Sequence, residues 1–373
     1  METIRENSSS SESPSISPSN AKNKLGVSNF TPGISQAVTM PGTNVNTSII
    51  LEQGEFEDDF DEIMKDFNWR EKYAEEDVLD LPVMQYGKEI RLKAYRYPPK
   101  DYRKAVVFYI HGYGSYANQN GALAKVLAAR NYEVFALDQR GFGHSEGMRG
   151  VIDEKCHVYD DQWLFIFEAI KQFKIDQQKT PLFLFGRSFG GLIATNISTG
   201  PVASCMFSGA AVLTPYYRCW TEKLYENRNL ITFLDAVHPT WTAPSEFQEA
   251  SPEWMAKWGD SLKDDTFVWS FTARGAKVWI EEQEKAQQSL LDSEVPFLII
   301  EAEKDDVVRN DVMKQYFEKC KQEGKPHEYC VVEGQESDHA VVCMCPTLAG
   351  TAMKSVVSFF DKQIEKRNAK QAQ

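Results

Sequence analysis

The pentapeptide Gly186-Arg187-Ser188-Phe189-Gly190 carries the residues best suited to covalent chemistry. An apolar run over residues 181–185 precedes it, and a helical pattern from Leu192 to Ile197 follows. A strand, a sharp turn and a helix in that order present a serine hydroxyl at the tip of the turn. The hydroxyl is a weak nucleophile until a base takes its proton, and the base needs a carboxylate to fix its tautomer. Such a nucleophile calls for an acid and then a histidine further along the chain. Of the six histidines, His111 and His144 precede Ser188 in glycine-rich turns, and His157 starts a helix. His238 lies in an aromatic-rich insertion and His327 at a strand start, which leaves His339, after the last expected strand, as the base. Asp305, ending the preceding strand, is the expected acid, with Asp306 and Glu303 as neighbours within a two-residue shift. Asp338 is too close in sequence to orient the ring beside it, and Asp138, which comes before the serine, is read as bracing the Arg140-Gly141 turn. An oxyanion needs two N–H donors. Phe189 offers one at a helix N-terminus, and Tyr113, after His111-Gly112, offers the other.

The elements that must position these residues alternate. Residues 83–86 and 88–97 read as an edge hairpin closed at Gly87-Lys88. Residues 105–110, 132–137, 181–185, 206–213 and 295–300 are short apolar runs expected as buried strands, and residues 329–332 form a last one. Helical patterns lie between them: Leu123, Val126 and Leu127 on one face, then Trp163, Ile166, Phe167, Ile170 and Phe173 turned inward. A helix around 312–320 and a final one over 348–364 complete the series, with a frayed Lys/Gln-rich tail. The fold class is α/β, a mostly parallel sheet with helices on both faces, and its reactive residues belong at the carboxyl ends of strands. The rhythm fails over residues 216–290, which hold Trp220, Trp241, Trp254, Trp258, Trp269 and Trp279. Ser251-Pro252 opens a helix there, and the stretch reads as a helical lid of apolar surface that also packs as core.

The expected organisation is a disordered Ser/Pro-rich tail at 1–54 and an acidic amphipathic segment at 55–80. The core occupies 81–215 and 291–367, with the lid or cap at 216–290 between them. In the acidic segment Phe56, Phe60, Ile63, Met64 and Phe67 share one helix face, which lies on the body or docks a partner. A net charge of −13 over 373 residues argues against nucleic acid and against a polybasic grip on membranes. No apolar run reaches the ~18 residues of a membrane span, and Met1 to Glu6 is polar, unlike a signal peptide. Seven cysteines without a C-x-x-C pattern point to a reduced, cytoplasmic chain with no metal site.

Residues 83 to 365 resemble the monoacylglycerol lipase and lysophospholipase branch of the α/β-hydrolases. The residues that carry the resemblance are His111-Gly112-Tyr113-Gly114, the run Asp138-Gln139-Arg140-Gly141-Phe142-Gly143-His144-Ser145-Glu146-Gly147, and Gly186-Arg187-Ser188-Phe189-Gly190-Gly191. The resemblance implies the α/β-hydrolase fold with an inserted helical cap. It assigns Ser188 as nucleophile, Asp305 as acid, His339 as base, and Tyr113 and Phe189 as oxyanion amides. Two positions depart from the group's usual pattern: Arg187 stands where a histidine precedes the nucleophile, and Ala302 where a glycine opens the turn before the acid. Arg187, with His111 and Gly112, is expected to touch substrate, and its charge to favour an anionic head group. The implied activity is hydrolysis of a carboxylic ester, a monoacylglycerol or lysophospholipid, through an acyl-enzyme and with no cofactor. The alternatives are an acyltransferase, a serine aminopeptidase and a non-catalytic lipid-binding protein. Transient membrane contact through the lid fits a lipid substrate, and nothing in the sequence fixes an oligomeric state.

Overall fold

A computed structural model of the chain describes residues 56–68, 74–76, 78–243, 266–268 and 271–372. The tail over 1–54, Ser251-Pro252, Trp254, Trp258 and Trp269 lie outside the described residues. An eight-stranded sheet runs in the order β1 (Glu75–Glu76), β4 (Ala94–Tyr97), β6 (Tyr132–Leu137), β5 (Ala105–Ile110), β7 (Leu182–Arg187), β8 (Phe207–Leu213), β11 (Phe297–Ala302), β12 (Glu328–Val332). The two pairings at the β1 edge are antiparallel, and all those from β6 to β12 are parallel.

The apolar runs form strands because both of their faces are covered. Every residue of β5, β6, β7 and β11 is buried. Alternation divides them: Leu182 and Leu184 of β7 join one core, Phe183 and Phe185 the other. The first core lies under α3 (His157–Gln172), α4 (Phe189–Ile197), α8 (Ala273–Asp292) and α9 (Asn310–Gln322). The second lies under α1 (Phe56–Lys65), α2 (Gly121–Ala129), α10 (Val341–Met344) and α11 (Pro346–Gln371). Strand order reverses between β5 and β7, so the ends of these two strands flank the crevice where α/β sheets place ligands.

Several local expectations are corrected. The hairpin is β2 (Leu81–Gln85) with β3 (Lys88–Leu92), closed by Tyr86-Gly87, not Gly87-Lys88. Both turn residues have positive φ, 47° and 77°, as a two-residue turn matched to strand twist requires. The expected second arm breaks at Lys93, and Ala94–Tyr97 joins the main sheet instead. In α3, Trp163, Ile166, Ile170 and Phe173 pack against the core as expected, with Phe165 and Ala169 beside them, but Phe167 faces solvent and stacks on Trp163. The last helix runs on to Gln371 rather than fraying, since Arg367 donates to the Gln177 and Gln178 carbonyls.

Between β8 and β11 stand α6 (Glu222–Glu226), α7 (Arg228–Val237) and the short pair β9 (Thr242–Ala243) with β10 (Phe271–Thr272). Helix α8, counted with the lid in sequence, is the crossover back to the sheet. Ala276, Trp279, Ile280, Gln283, Ala286 and Leu290 form its buried stripe. Helix α1 turns its apolar face to the body. Phe60 is buried beneath Arg130 and Lys354, whose cationic groups lie 5.4 and 5.5 Å from its ring centre, and Met64 approaches Gly350.

Candidate active site

Ser188 stands between β7 and α4 with φ 52° and ψ −119°. That conformation costs a non-glycine residue about 1–3 kcal/mol, so the surroundings must impose it. Three backbone bonds do so: Ser188 N–H donates to the Leu213 carbonyl, and the Ser188 carbonyl accepts from Leu192 and Tyr216. Gly190 makes the tight approach possible, because a Cβ there would sit 2.0 Å from the Ile110 carbonyl oxygen and 2.6 Å from that of His111. Both contacts are backbone, which cannot swing aside. Gly190→Ala is therefore expected to destabilise the fold by about 3 kcal/mol, a fall of roughly 4–6 °C in Tm. An unchanged thermal melt would show that the elbow is not so tightly packed.

His339 meets Ser188 across the strand ends. Its Nε2 lies 2.9 Å from Ser188 Oγ and its Nδ1 2.8 Å from Asp305 Oδ2. A carboxylate only accepts, so Nδ1–H donates to Asp305 and Nε2 is left to accept the serine proton. The other carboxylate oxygen, Oδ1, takes the N–H groups of Val307 (2.9 Å) and Val308 (2.7 Å). The segment after β8 clamps this loop. Trp220 Nε1 donates to the Asp305 carbonyl at 3.2 Å, Trp220 N–H to Val307, and Cys219 bridges to Val308. The neighbouring carboxylates are used elsewhere. Glu303 accepts from Gly334 N–H, and Asp338 accepts from the Ala340 and Val341 amides that open α10. Asp138 accepts from His144 N–H, closing the loop that contains Arg140-Gly141, and also from Tyr95 Oη–H and Ala117 N–H. Arg140 is held by Asp161 and Asp153.

The loop after β5 lies against the nucleophile. A Cβ on Gly112 would meet Ser188 Cβ at 3.2 Å. His111 is fully buried. Its Nε2 accepts the Gln139 N–H at 3.0 Å, so Nδ1–H donates to the Gly112 carbonyl at 2.8 Å. Ser115 N–H reaches the same oxygen at 3.3 Å. The Gly112–Tyr113 peptide is trans, so pinning its carbonyl fixes the Tyr113 N–H in the opposite direction. Burial lowers the His111 pKa and keeps the ring neutral, as this pair of bonds requires. His111, expected to touch substrate, has both ring nitrogens engaged by main-chain groups of the surrounding loops. The Phe189 amide stands in the first turn of α4, where helix N–H groups have no partner within the helix.

Arg187, expected to meet a head group, is buried, and its Nη2 donates to the His339 carbonyl at 3.0 Å. Three residues that sequence reasoning gave no such role complete the site: Val307 and Val308 through their amides, and Trp279. The Trp279 ring packs edge-on to Tyr113 at 4.5 Å and near Phe189 and Tyr216, closing the elbow on the α8 side. Spacing along α8 marks Trp279 as inward, whereas no sequence signal marks the two amides.

The sequence profile of the Hydrolase_4 family (serine aminopeptidase, S33) matches residues 101–334. A Schizosaccharomyces pombe protein assigned as a monoglyceride lipase is 28% identical over 242 residues, 61% of each chain. Human monoglyceride lipase is 31% identical over 136 residues, 36% of this chain and 43% of that one. The chain thus spans less than two thirds of the length of either relative. Among solved structures, a soluble variant of Saccharomyces cerevisiae monoglyceride lipase with a substrate analog superposes with a TM-score of 0.61 at 19% identity. That match covers 77% of this chain and 97% of the other.

Proposed function

The chain belongs to the Hydrolase_4 family (serine aminopeptidase, S33) and has the α/β-hydrolase fold; on that premise we propose that it hydrolyses carboxylic esters of single-chain lipids, monoacylglycerols or lysophospholipids. One observation carries the reading: a single imidazole lies within hydrogen-bond distance of both a strained serine and a buried carboxylate. In this reading Ser188 Oγ attacks the ester carbonyl as its proton passes to His339 Nε2, and Asp305 stabilises the imidazolium. The Tyr113 and Phe189 amides receive the developing oxyanion, each worth about 3 kcal/mol in the barrier. Collapse breaks the C–O bond, and His339 gives its proton to the departing alkoxide. Water, deprotonated by the same ring, then attacks the acyl carbonyl; the acyl–Oγ bond breaks, the ring returns its proton to Ser188 Oγ, and the fatty acid leaves. No step requires a cofactor.

The monoglyceride lipase relatives support a lipid ester. Leu230, Phe233 and Val237 of α7 are exposed at i, i+3 and i+7, which supports transient contact with a lipid surface. No helix among the described residues is long and apolar enough to cross a membrane. All seven cysteines are unpaired, which supports a reducing, cytoplasmic setting. The family profile's description favours a second reading, aminopeptidase action, because a triad of this kind serves amides as well as esters.

The test is fluorophosphonate labelling followed by a screen of neutral monoacylglycerol, lysophospholipids and aminoacyl anilides. The expected result is a single adduct on Ser188 and turnover of the lipid esters. Labelling with turnover of anilides alone would move the assignment to the peptidase. No labelling of folded protein would leave a lipid-binding protein.

A further inference from the structure

Residues 183 and 185 of β7 point into the apolar core beneath α2 and α11, and residue 187 falls on the same face by alternation. An apolar side chain is what that face asks for, yet Arg187 is there, with only 8% of its surface exposed. Among the described residues no carboxylate lies within ion-pair distance of it, and its Nε is buried without a partner. A guanidinium held so is expensive, by several kcal/mol after relaxation. What it reaches is specific: Nη2 donates to the His339 backbone carbonyl at 3.0 Å, and the Cys343 thiol, on the helix following His339, lies within its reach.

The arrangement ties the base to the nucleophile through the backbone. Arg187 immediately precedes Ser188, and its side chain grips the peptide of the residue whose ring must meet Ser188 Oγ. Among the described residues, the His339 loop is also tied on the far side: Lys304 N–H bonds the Ser337 carbonyl, Ser337 Oγ bonds the Val332 carbonyl, and Asp338 caps α10. Arg187 ties the loop to the β7 end, beside the reacting hydrogen bond itself.

We propose that Arg187 is a positioning residue for the catalytic base, locking the His339 main chain to the strand that carries the nucleophile. The inference rests on the hydrolase reading above and replaces the head-group role expected from sequence. A shift of about 1 Å in a reacting group can cost on the order of a hundredfold in rate. The side chain sits behind the triad, so its loss should be felt in kcat and not in lipid affinity.

The experiment is steady-state kinetics of wild type, Arg187→Met and Arg187→Lys on a p-nitrophenyl ester, a neutral monoacylglycerol and a lysophosphatidic acid, with thermal melts of each protein. Arg187→Met is expected to lower kcat roughly 10- to 100-fold on all three, with KM changed less than about threefold. Arg187→Lys keeps a donor for the His339 carbonyl and is expected to regain at least about tenfold of a hundredfold loss. Should Arg187→Met fail to fold, the lysine variant decides: a kcat equal to wild type or lowered less than about tenfold supports the role, and a deeper loss overturns it. Unchanged kcat in a folded Arg187→Met would overturn the inference while wild-type turnover leaves the hydrolase reading standing. A rise in KM confined to the lysophosphatidic acid would restore the head-group role. A wild type inert toward all three esters and toward fluorophosphonate would remove both readings together.

Discussion

Ser188→Ala is expected to lower kcat for ester hydrolysis by roughly 10⁵–10⁶-fold, with little change in KM. Oγ is the atom placed to form the acyl-enzyme: it lies 2.9 Å from the base, at the end of a strand whose turn is held by three backbone bonds. Alanine keeps the backbone and removes only that atom. The elbow is strained at residue 188 with φ 52°, and alanine bears the same strain, so the variant should fold like wild type. The residual rate reports what the Tyr113 and Phe189 amides do for direct attack by water. His339→Ala is expected to cost about as much, and the double variant little more than either alone, because groups acting as one unit are not additive. Independent, multiplying losses in the double variant would show that Ser188 and His339 do not act together. The measurement is kcat and KM on a p-nitrophenyl ester, with fluorophosphonate as a check on purity.

Asp305→Asn is expected to reduce kcat about 10⁴-fold while leaving the fold intact. Asp305 Oδ1 accepts two amides, from Val307 and Val308, and Oδ2 accepts from His339. An asparagine satisfies the two amides with its carbonyl oxygen, which forces its NH₂ toward His339. The ring nitrogen facing an N–H must then accept, so the proton moves to Nε2, the atom that has to take the serine proton. The geometry survives and the tautomer is wrong. Asp306→Asn and Glu303→Gln are the controls, since His339 Nδ1 meets Asp305 and Glu303 bonds Gly334 N–H. A large loss in either control with a mild one in Asp305→Asn would reassign the acid.

Much of this site was legible in sequence because the fold rule is strong. A parallel sheet covered on both faces puts loops with chemistry at the strand ends, and Ser188, Asp305 and His339 each follow a strand in the order a hydrolase needs, the first two after fully buried ones. Positions that depend on strand alternation or helix phase were less legible. Arg187 adjoins the nucleophile in sequence, but parity with Phe183 and Phe185 turns its side chain into the core. Phe167 was expected inward with Trp163, Ile166, Ile170 and Phe173; those four do pack against the core, but the buried stripe centres on Gln162, Phe165, Ile166 and Ala169 and leaves Phe167 at its edge in solvent. The density of tryptophans drew α8 into the lid, although its buried spacing over Ala276 to Leu290 is that of a crossover helix. The Val307 and Val308 amides and the Gly112 carbonyl carry no side-chain signal at all. Main-chain donors of this kind emerge only when the chain has folded.

The central claim is that Ser188, with its proton drawn off by His339, becomes covalently acylated. Mixing the protein with a slowly hydrolysed p-nitrophenyl ester, quenching in acid within the first turnover and mapping the adduct by peptide mass spectrometry tests it directly. The account predicts a burst of p-nitrophenol stoichiometric with enzyme and an acyl mass on the peptide containing Ser188, absent in Ser188→Ala. Steady turnover by wild type with no burst, or an acyl group found on any other residue, would contradict it.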